Sequence, residues 1–373
     1  MKREQQDDGQ TTMTVLRNPA AAAYRSVAIP DREPLRLHRL LPGYAPTPLL
    51  DVSRLAERLE LPVGTILVKD ESSRLELPSF KLLGASWAIH RALNAQPSPR
   101  QSVVLAAASD GNYGTAVARM ARLVGCAADI FVPVGTSSAR IASIEAEGAR
   151  VEVVESTFDD AVARSEEMAN DAKRNCVVVS DTSSISCREL PNWVIQGYST
   201  IFWEIDDALT ERSWSQPDIV FVPMGVGALA GAAVRHYSQK PEGERPVIVG
   251  AEPTRAACVQ ESIRAGEIVR VPAPTSIMAG LNCGTPSTAA WPDLAGGLDA
   301  MVSISDERAI DAVRALAEIG VATAETGAAA LGGLVDFAAA DPSLLHVEGR
   351  QPCVLLLQTE GVTDKGAYEN YVG

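Results

Sequence analysis

Residues 218–231 read DIVFVPMGVGALAG. A continuous apolar run ends in a proline, passes through Gly225 and Gly227, and enters a small-residue segment of helical character. A run without alternation marks a strand buried on both faces, which is the signature of a parallel sheet. Gly225 and Gly227 allow a sharp turn that exposes backbone N–H groups, and the following helix start adds partial positive charge. Strand, glycine loop and helix together form a phosphate cradle.

The same pattern extends outward. VIVGAEP (247–253) and CVLLLQ (353–358) are further continuous apolar runs. TILVKD (65–70), SVVLAAAS (102–109), ADIFVP (128–133), ARVEVVES (149–156) and CVVVSD (176–181) also read as strands. Between them lie segments of helical periodicity, among them 79–95, 112–125, 137–148, 157–172, 306–320 and 327–340. A long helix is expected from about Leu190 to Leu209, with Pro191 in its first turn. Strands alternating with helices imply an α/β fold with parallel sheets covered on both faces. TMTVLRNP, near the start, is expected to hold one short strand.

The chain has 373 residues, a length suited to about two domains. Its net charge of −14 argues against nucleic acid and anionic membranes as partners. No apolar run is long enough to span a bilayer, and MKREQQDDGQTT is too polar for a signal peptide, so a cytoplasmic location is expected. The six cysteines form no CxxC and the four histidines are far apart, which argues against a metal site.

Three segments bear on chemistry. SFK places Lys81 at a strand-to-helix junction between apolar neighbours, with Ser79 able to cap the helix. That setting suits an amine that forms a Schiff base, although Lys81 alone would read as a solvated helix lysine. ASDGNYG (108–114) leaves a strand and enters a helix, offering Asp110 as an acid or base and Asn112 as a donor to a phenolate-like oxygen. Asp181 ends another strand. Thr359, after the last strand, carries a hydroxyl for a ring nitrogen. A second reading stays open: GVGALA also fits the dinucleotide fingerprint, with Glu252 as the ribose-binding acid of a nicotinamide oxidoreductase.

As a set, LPGYAPTPLLDVSRLAERL, VKDESSR, SFKLLGAS, SDGNYGTAVA, WVIQGYSTI, GAEPTRAACVQES, SIMAGLNCGTPS, ETGAAALGGL and TEGVTD resemble the fold-type II pyridoxal-phosphate enzymes, the group of threonine dehydratase and tryptophan synthase β. Within it the chain looks most like the diaminopropionate ammonia-lyases. The resemblance implies pyridoxal 5'-phosphate as cofactor and a small amino acid as substrate. It implies α,β-elimination of 2,3-diaminopropionate to pyruvate and ammonia, or elimination or replacement on another β-substituted amino acid.

The roles it implies are residue-specific. Lys81 is the Schiff-base lysine, and Asn112 holds the cofactor hydroxyl. Gly225, Val226, Gly227, Ala228 and Leu229 bind phosphate, and Thr359 lies near the ring nitrogen. Asp110 and Asp181 serve as bases for opposite enantiomers. Ser79, Ser109, Tyr113 and Ser184 join those aspartates around the substrate. Cys258 and Cys283 match a pair that can form a disulfide. The implied organisation is a larger domain (1–103 and 185–373), a smaller mobile domain (104–184), a loose arm (1–25), and a homodimer. Two stretches depart from the family: DTSSISCRE after Asp181 lacks the usual aromatic and glycine-tyrosine pair, and Tyr113 stands where histidine is usual.

Overall fold

The computed structural model describes residues 14–95, 99–109, 111–156, 158–170, 175–182, 189–241, 243–272 and 275–373. Among the described residues, eleven strands form two sheets. The larger contains β1 (Thr14–Arg17), β2 (Leu49–Asp51), β3 (Thr65–Asp70), β8 (Ile219–Pro223), β9 (Val247–Pro253), β10 (Ala300–Ile304) and β11 (Cys353–Gln358). Its order is β1-β10-β9-β8-β11-β3-β2. The five central strands are parallel, and β1 and β2 close the two edges antiparallel. The smaller sheet has β4 (Val104–Ala108), β5 (Ala127–Pro133), β6 (Arg150–Val154) and β7 (Cys176–Val178), all parallel, in the order β6-β5-β4-β7.

Burial follows the apolar runs. β8, β10 and β11 are buried at every position, as strands covered on both faces must be. Edge strand β6 alternates less cleanly and carries Arg150, which pairs with Asp129 at 2.8 Å. Charge on an edge discourages pairing with another chain. Strands β2 and β10 were not expected from the sequence. AMVSI (300–304) is only five residues long and gains its strand identity from parallel pairing with β9.

The long helix runs Leu190–Arg212 with Pro191 in its first turn, three residues longer at its end than expected. It lies directly on the helix Lys81–Asn94, because a Cβ at Gly197 would sit 2.4 Å from the Leu83 carbonyl oxygen. That close crossing fixes the start of the Lys81 helix against the core. Phe80, not Ser79, occupies the cap position, and no side chain caps the helix. Ser79 instead bridges in extended conformation to Glu360, beyond β11. The arm segment carries β1, and Tyr24 donates to Asp293 at 2.8 Å. Among the described residues, no helix is long and apolar enough to cross a membrane.

Candidate active site

In open parallel sheets the ligand crevice lies at the carboxyl ends of the strands, where the order reverses. In the smaller sheet that reversal falls between β4 and β7. The residues beyond these strands, Ser109, Asn112, Tyr113 and Asp181, face the carboxyl ends of β8 and β11 of the larger sheet across a cleft of roughly 950 Å³, open solvent at its mouth included. The cleft is lined by Ser79, Lys81, Ser109, Asn112, Tyr113, Asp181, Gly225, Val226, Gly227, Ala228, Leu229 and Thr359. Distant segments of sequence thus converge. Asp110 and Ser184, expected here too, lie outside the described residues.

Lys81 opens its helix at the cleft wall, and its Nζ donates to Asp181 Oδ2 at 3.1 Å. The ammonium lies 5.3 Å from the Phe80 ring centroid and 5.6 Å from that of Tyr113. Burial disfavours its charge, but Tyr198, Asp181 and Cys283 together hold its pKa above the ordinary lysine value. Tyrosine is neutral at neutral pH, so the bonded carboxylate of Asp181 is the operative partner. The Lys81 amine therefore rests as an ammonium with a proton acceptor in hydrogen-bond contact.

The glycine loop supplies a different kind of group. Gly227 has φ +85° and precedes the helix Ala228–Tyr237, whose first turn carries no acidic residue. A Cβ at Gly227 would meet Leu294 at 2.5 Å, and one at Gly225 would meet the Cys283 sulfur at 2.9 Å. Only glycine fits, and the backbone N–H groups of the helix start are left for an anion. Cys258 donates to the Gly225 carbonyl at 3.6 Å and is a free thiol, so the Cys258–Cys283 pair is not bridged.

Some expected residues have additional tasks. The Ser109 hydroxyl accepts from the N–H groups of Gly111 at 3.0 Å and Gly114 at 2.8 Å, and so shapes the loop that presents Asn112. Thr359 is buried, with its hydroxyl 3.5 Å from the Thr326 carbonyl oxygen. Phe80, Arg140, Phe158, the stretch Gly280–Cys283, Thr326 and Glu360 also line the cleft, unexpected from the sequence. SIMAGLNCGTPS and TEGVTD drew attention as segments, but nothing in their spacing says which side chains face inward.

Glu252 overturns the nicotinamide alternative. It is fully buried and accepts from the N–H groups of Val259 and Gln260, each at 2.8 Å. It caps the helix Cys258–Ala265, and both its oxygens are taken up by that helix start. Burial pushes its pKa up to about 8. Among the described residues no cluster could hold a metal ion.

The residues present fit a pyridoxal phosphate. A lysine reaches into the cleft, glycines leave room for a phosphate, and the buried hydroxyl of Tyr113, which lines the cleft, has no hydrogen-bond partner. The chain belongs to the pyridoxal-phosphate dependent enzymes, whose family model matches residues 40–358. Its α/β architecture is that of fold type II. It is 31% identical to the diaminopropionate ammonia-lyase of Salmonella typhimurium, with 91% of each chain covered. It is also 31% identical to that of Escherichia coli K12, over 90% of this chain and 89% of the relative. The crystal structure of the E. coli enzyme in complex with an aminoacrylate-PLP azomethine reaction intermediate superposes with a TM-score of 0.87 at 29% identity, covering 97% of both chains.

Proposed function

We propose that this enzyme is a pyridoxal-phosphate-dependent ammonia-lyase that removes ammonia from 2,3-diaminopropionate by α,β-elimination. The observation that carries the reading is the Lys81–Asp181 pair set opposite a glycine loop, in a chain aligned along nine-tenths of known diaminopropionate ammonia-lyases.

Bound pyridoxal phosphate withdraws electrons from the α-carbon of an attached amino acid, and this chemistry is the cofactor's own. The chain supplies the rest. The backbone amides from Gly225 to Leu229 would hold the phosphate, Asn112 would donate to the ring oxygen, and the Thr359 hydroxyl would serve the ring nitrogen. That uncharged partner would leave the nitrogen largely unprotonated. Lys81 would hold the cofactor through Nζ. The ammonium must first lose a proton, and Asp181 Oδ2, at 3.1 Å, accepts it. Freed, the Lys81 amine would take the α-proton from one face; from the other face an aspartate would take it, either Asp110, or Asp181 when the Lys81 proton has gone to solvent instead. A protonated Asp181 returns its proton to the departing β-amine. Phe80 and Tyr113 keep water from the reacting carbon. The resulting aminoacrylate takes up water to give pyruvate and a second ammonia. Proton transfers of this kind contribute about a hundred- to ten-thousandfold in rate.

The test is pyruvate and ammonia release from each enantiomer of 2,3-diaminopropionate, in the wild type and in Asp181→Asn. Turnover of at least one enantiomer is expected, with Asp181→Asn slowing it about a hundredfold. No turnover of either, with elimination from another β-substituted amino acid instead, would overturn the substrate assignment. The same reading places the enzyme in the cytoplasm as a homodimer, its smaller mobile domain at 104–184, and light scattering of the purified protein tests the dimer.

A further inference from the structure

Glu360 follows Thr359 at the end of β11 and lines the same cleft, yet the chemistry above gives it no task. It is 2% exposed. Its backbone is held firmly. Its carbonyl accepts from the Thr323 hydroxyl at 2.9 Å, Gly361 N–H donates to the Pro78 carbonyl at 2.9 Å, and Glu360 itself bridges to Ser79. One carboxyl oxygen, Oε1, accepts from the Thr363 hydroxyl at 2.9 Å. The other, Oε2, is buried and has no hydrogen-bond partner among the described residues. It looks across Gly280, where a Cβ would lie 3.5 Å away, and Gly280 also lines the cleft.

A carboxyl fixed through one oxygen, with the other buried and unmatched at a ligand cavity, is built for a ligand atom. No ion pair with Glu360 occurs among the described residues. Among the described residues, the charged or titratable groups that share the cleft are Lys81, Asp181, Arg140, Tyr113 and Cys283. Of these, Arg140 acts on Glu360 through its charge. Burial pushes the Glu360 pKa up, and the Thr363 hydroxyl, the charge of Arg140 and the nearby Asn112 and Thr326 side chains, neither of which meets hydrogen-bond geometry with Oε2, offset this only in part. Asn112, assigned to the ring oxygen, lines the same cleft as Glu360.

We propose that Glu360 is a further cofactor-binding residue: a carboxyl that keeps its proton and donates it from Oε2, beside Asn112, to the ring oxygen of pyridoxal phosphate. This rests on the reading of the cleft given above. An acid there withdraws electron density from the ring oxygen without adding negative charge beside it. A glutamate anion would do the reverse.

The test is a pH titration of the visible absorbance band of the holoenzyme, without substrate, in wild type, Glu360→Gln and Glu360→Ala. Glutamine keeps a neutral donor, so its midpoint should match the wild type. Alanine should raise the midpoint by about half to one pH unit, the equivalent of one hydrogen bond lost. An unchanged midpoint in Glu360→Ala overturns the proposal, including the case where only the KM for 2,3-diaminopropionate changes. A lowered midpoint in both variants also overturns it, since that marks an anionic carboxylate. If Glu360→Ala does not retain cofactor, infrared spectra of wild type and Glu360→Gln decide. A protonated-carboxyl band that Gln removes, and that shifts when pyridoxal phosphate is added to the wild type, supports the proposal; no such band overturns it. A wild-type protein that never develops the visible band fails the cofactor reading itself, whereas a normal wild-type band confines any failure to Glu360.

Discussion

Two buried polar regions lie at opposite ends of the segment from Lys69 to Lys81, and they differ in what their side chains have left to offer. In the first, Lys69 donates to Glu204 at 2.7 Å and to the Thr47 carbonyl at 2.8 Å. Arg74 bonds both Glu71 and Glu204 at 2.6 Å. The two cations face two carboxylates, all four at most 2% exposed at the side chain, and none has an unmatched polar atom. Burial raises the Glu204 pKa, but Arg74 and Lys69 more than reverse this and hold it down to about 2. In the second region, among the described residues, Lys81 has one carboxylate partner, and Tyr113 and Glu360, which line the cleft, each keep a buried atom without a partner. The first region is complete as it stands and serves the fold. The second keeps polar atoms open toward a ligand. Two lysines twelve positions apart thus have opposite tasks, decided by whether their surroundings are already satisfied.

The comparison breaks most visibly at its ends. Replacing Lys81 with alanine should lower turnover about a thousandfold or more and abolish the visible cofactor band, while circular dichroism shows an intact fold. Retained turnover would remove Lys81 from the chemistry. Glu204→Ala should act on folding instead. It leaves Lys69 and Arg74 short of a carboxylate in the interior, at a cost of about 3–5 kcal/mol in a urea titration. A loss below about 1 kcal/mol would mean that the first region is not closed.

A smaller effect follows from His38, which packs beside the closed network. Its Nδ1 lies 2.7 Å from the Thr200 hydroxyl and its Nε2 3.0 Å from the Leu83 carbonyl oxygen. Burial, and next the charge of Arg74, lower its pKa to about 3. The unfolded chain binds this proton below about pH 6.5 and the folded protein does not. Stability should therefore fall as pH drops from about 6.5 toward 3, by at most about 1.4 kcal/mol per pH unit. Glu204 adds a further loss below about pH 4.5. Denaturant midpoints measured from pH 7 to pH 5 should show the His38 limb, and His38→Gln should flatten it. The smallest effect belongs to Tyr113→Phe. In the cofactor-free protein it removes a hydroxyl that has no partner, so stability should change by no more than about 0.5 kcal/mol. Binding of cofactor or substrate should weaken several-fold, measurable by titration of the visible band. A large stability loss would show that the hydroxyl already serves the fold.

Much of the fold was legible in sequence because parallel strands buried on both faces leave uninterrupted apolar runs, as in 219–223 and 353–358. Strands β2 and β10 were not legible. They are three and five residues long, and pairing with β3 and β9 gives them their identity. The expected cap at Ser79 failed for a similar reason, since its backbone is drawn into a bridge with Glu360, 281 positions away in the chain. The candidate cleft was legible where a motif fixes direction: Lys81 at a helix start, Gly227 at a left-handed turn, and Asp181 beyond a strand all line it. Glu360 sits inside a motif that was noticed, but neither its burial nor its unmatched oxygen has a sequence signature. Glu252 shows the converse. It satisfied a fingerprint by spacing, and only its two backbone partners reveal a capping task.

The central claim concerns which lysine holds the cofactor. The chain's lysines are Lys2, Lys69, Lys81, Lys173, Lys240 and Lys365, so borohydride trapping of the holoprotein followed by peptide mass spectrometry resolves them. The pyridoxal-phosphate adduct is expected on Lys81 and not on Lys69. An adduct confined to any other lysine, or none in protein saturated with cofactor, would contradict the account.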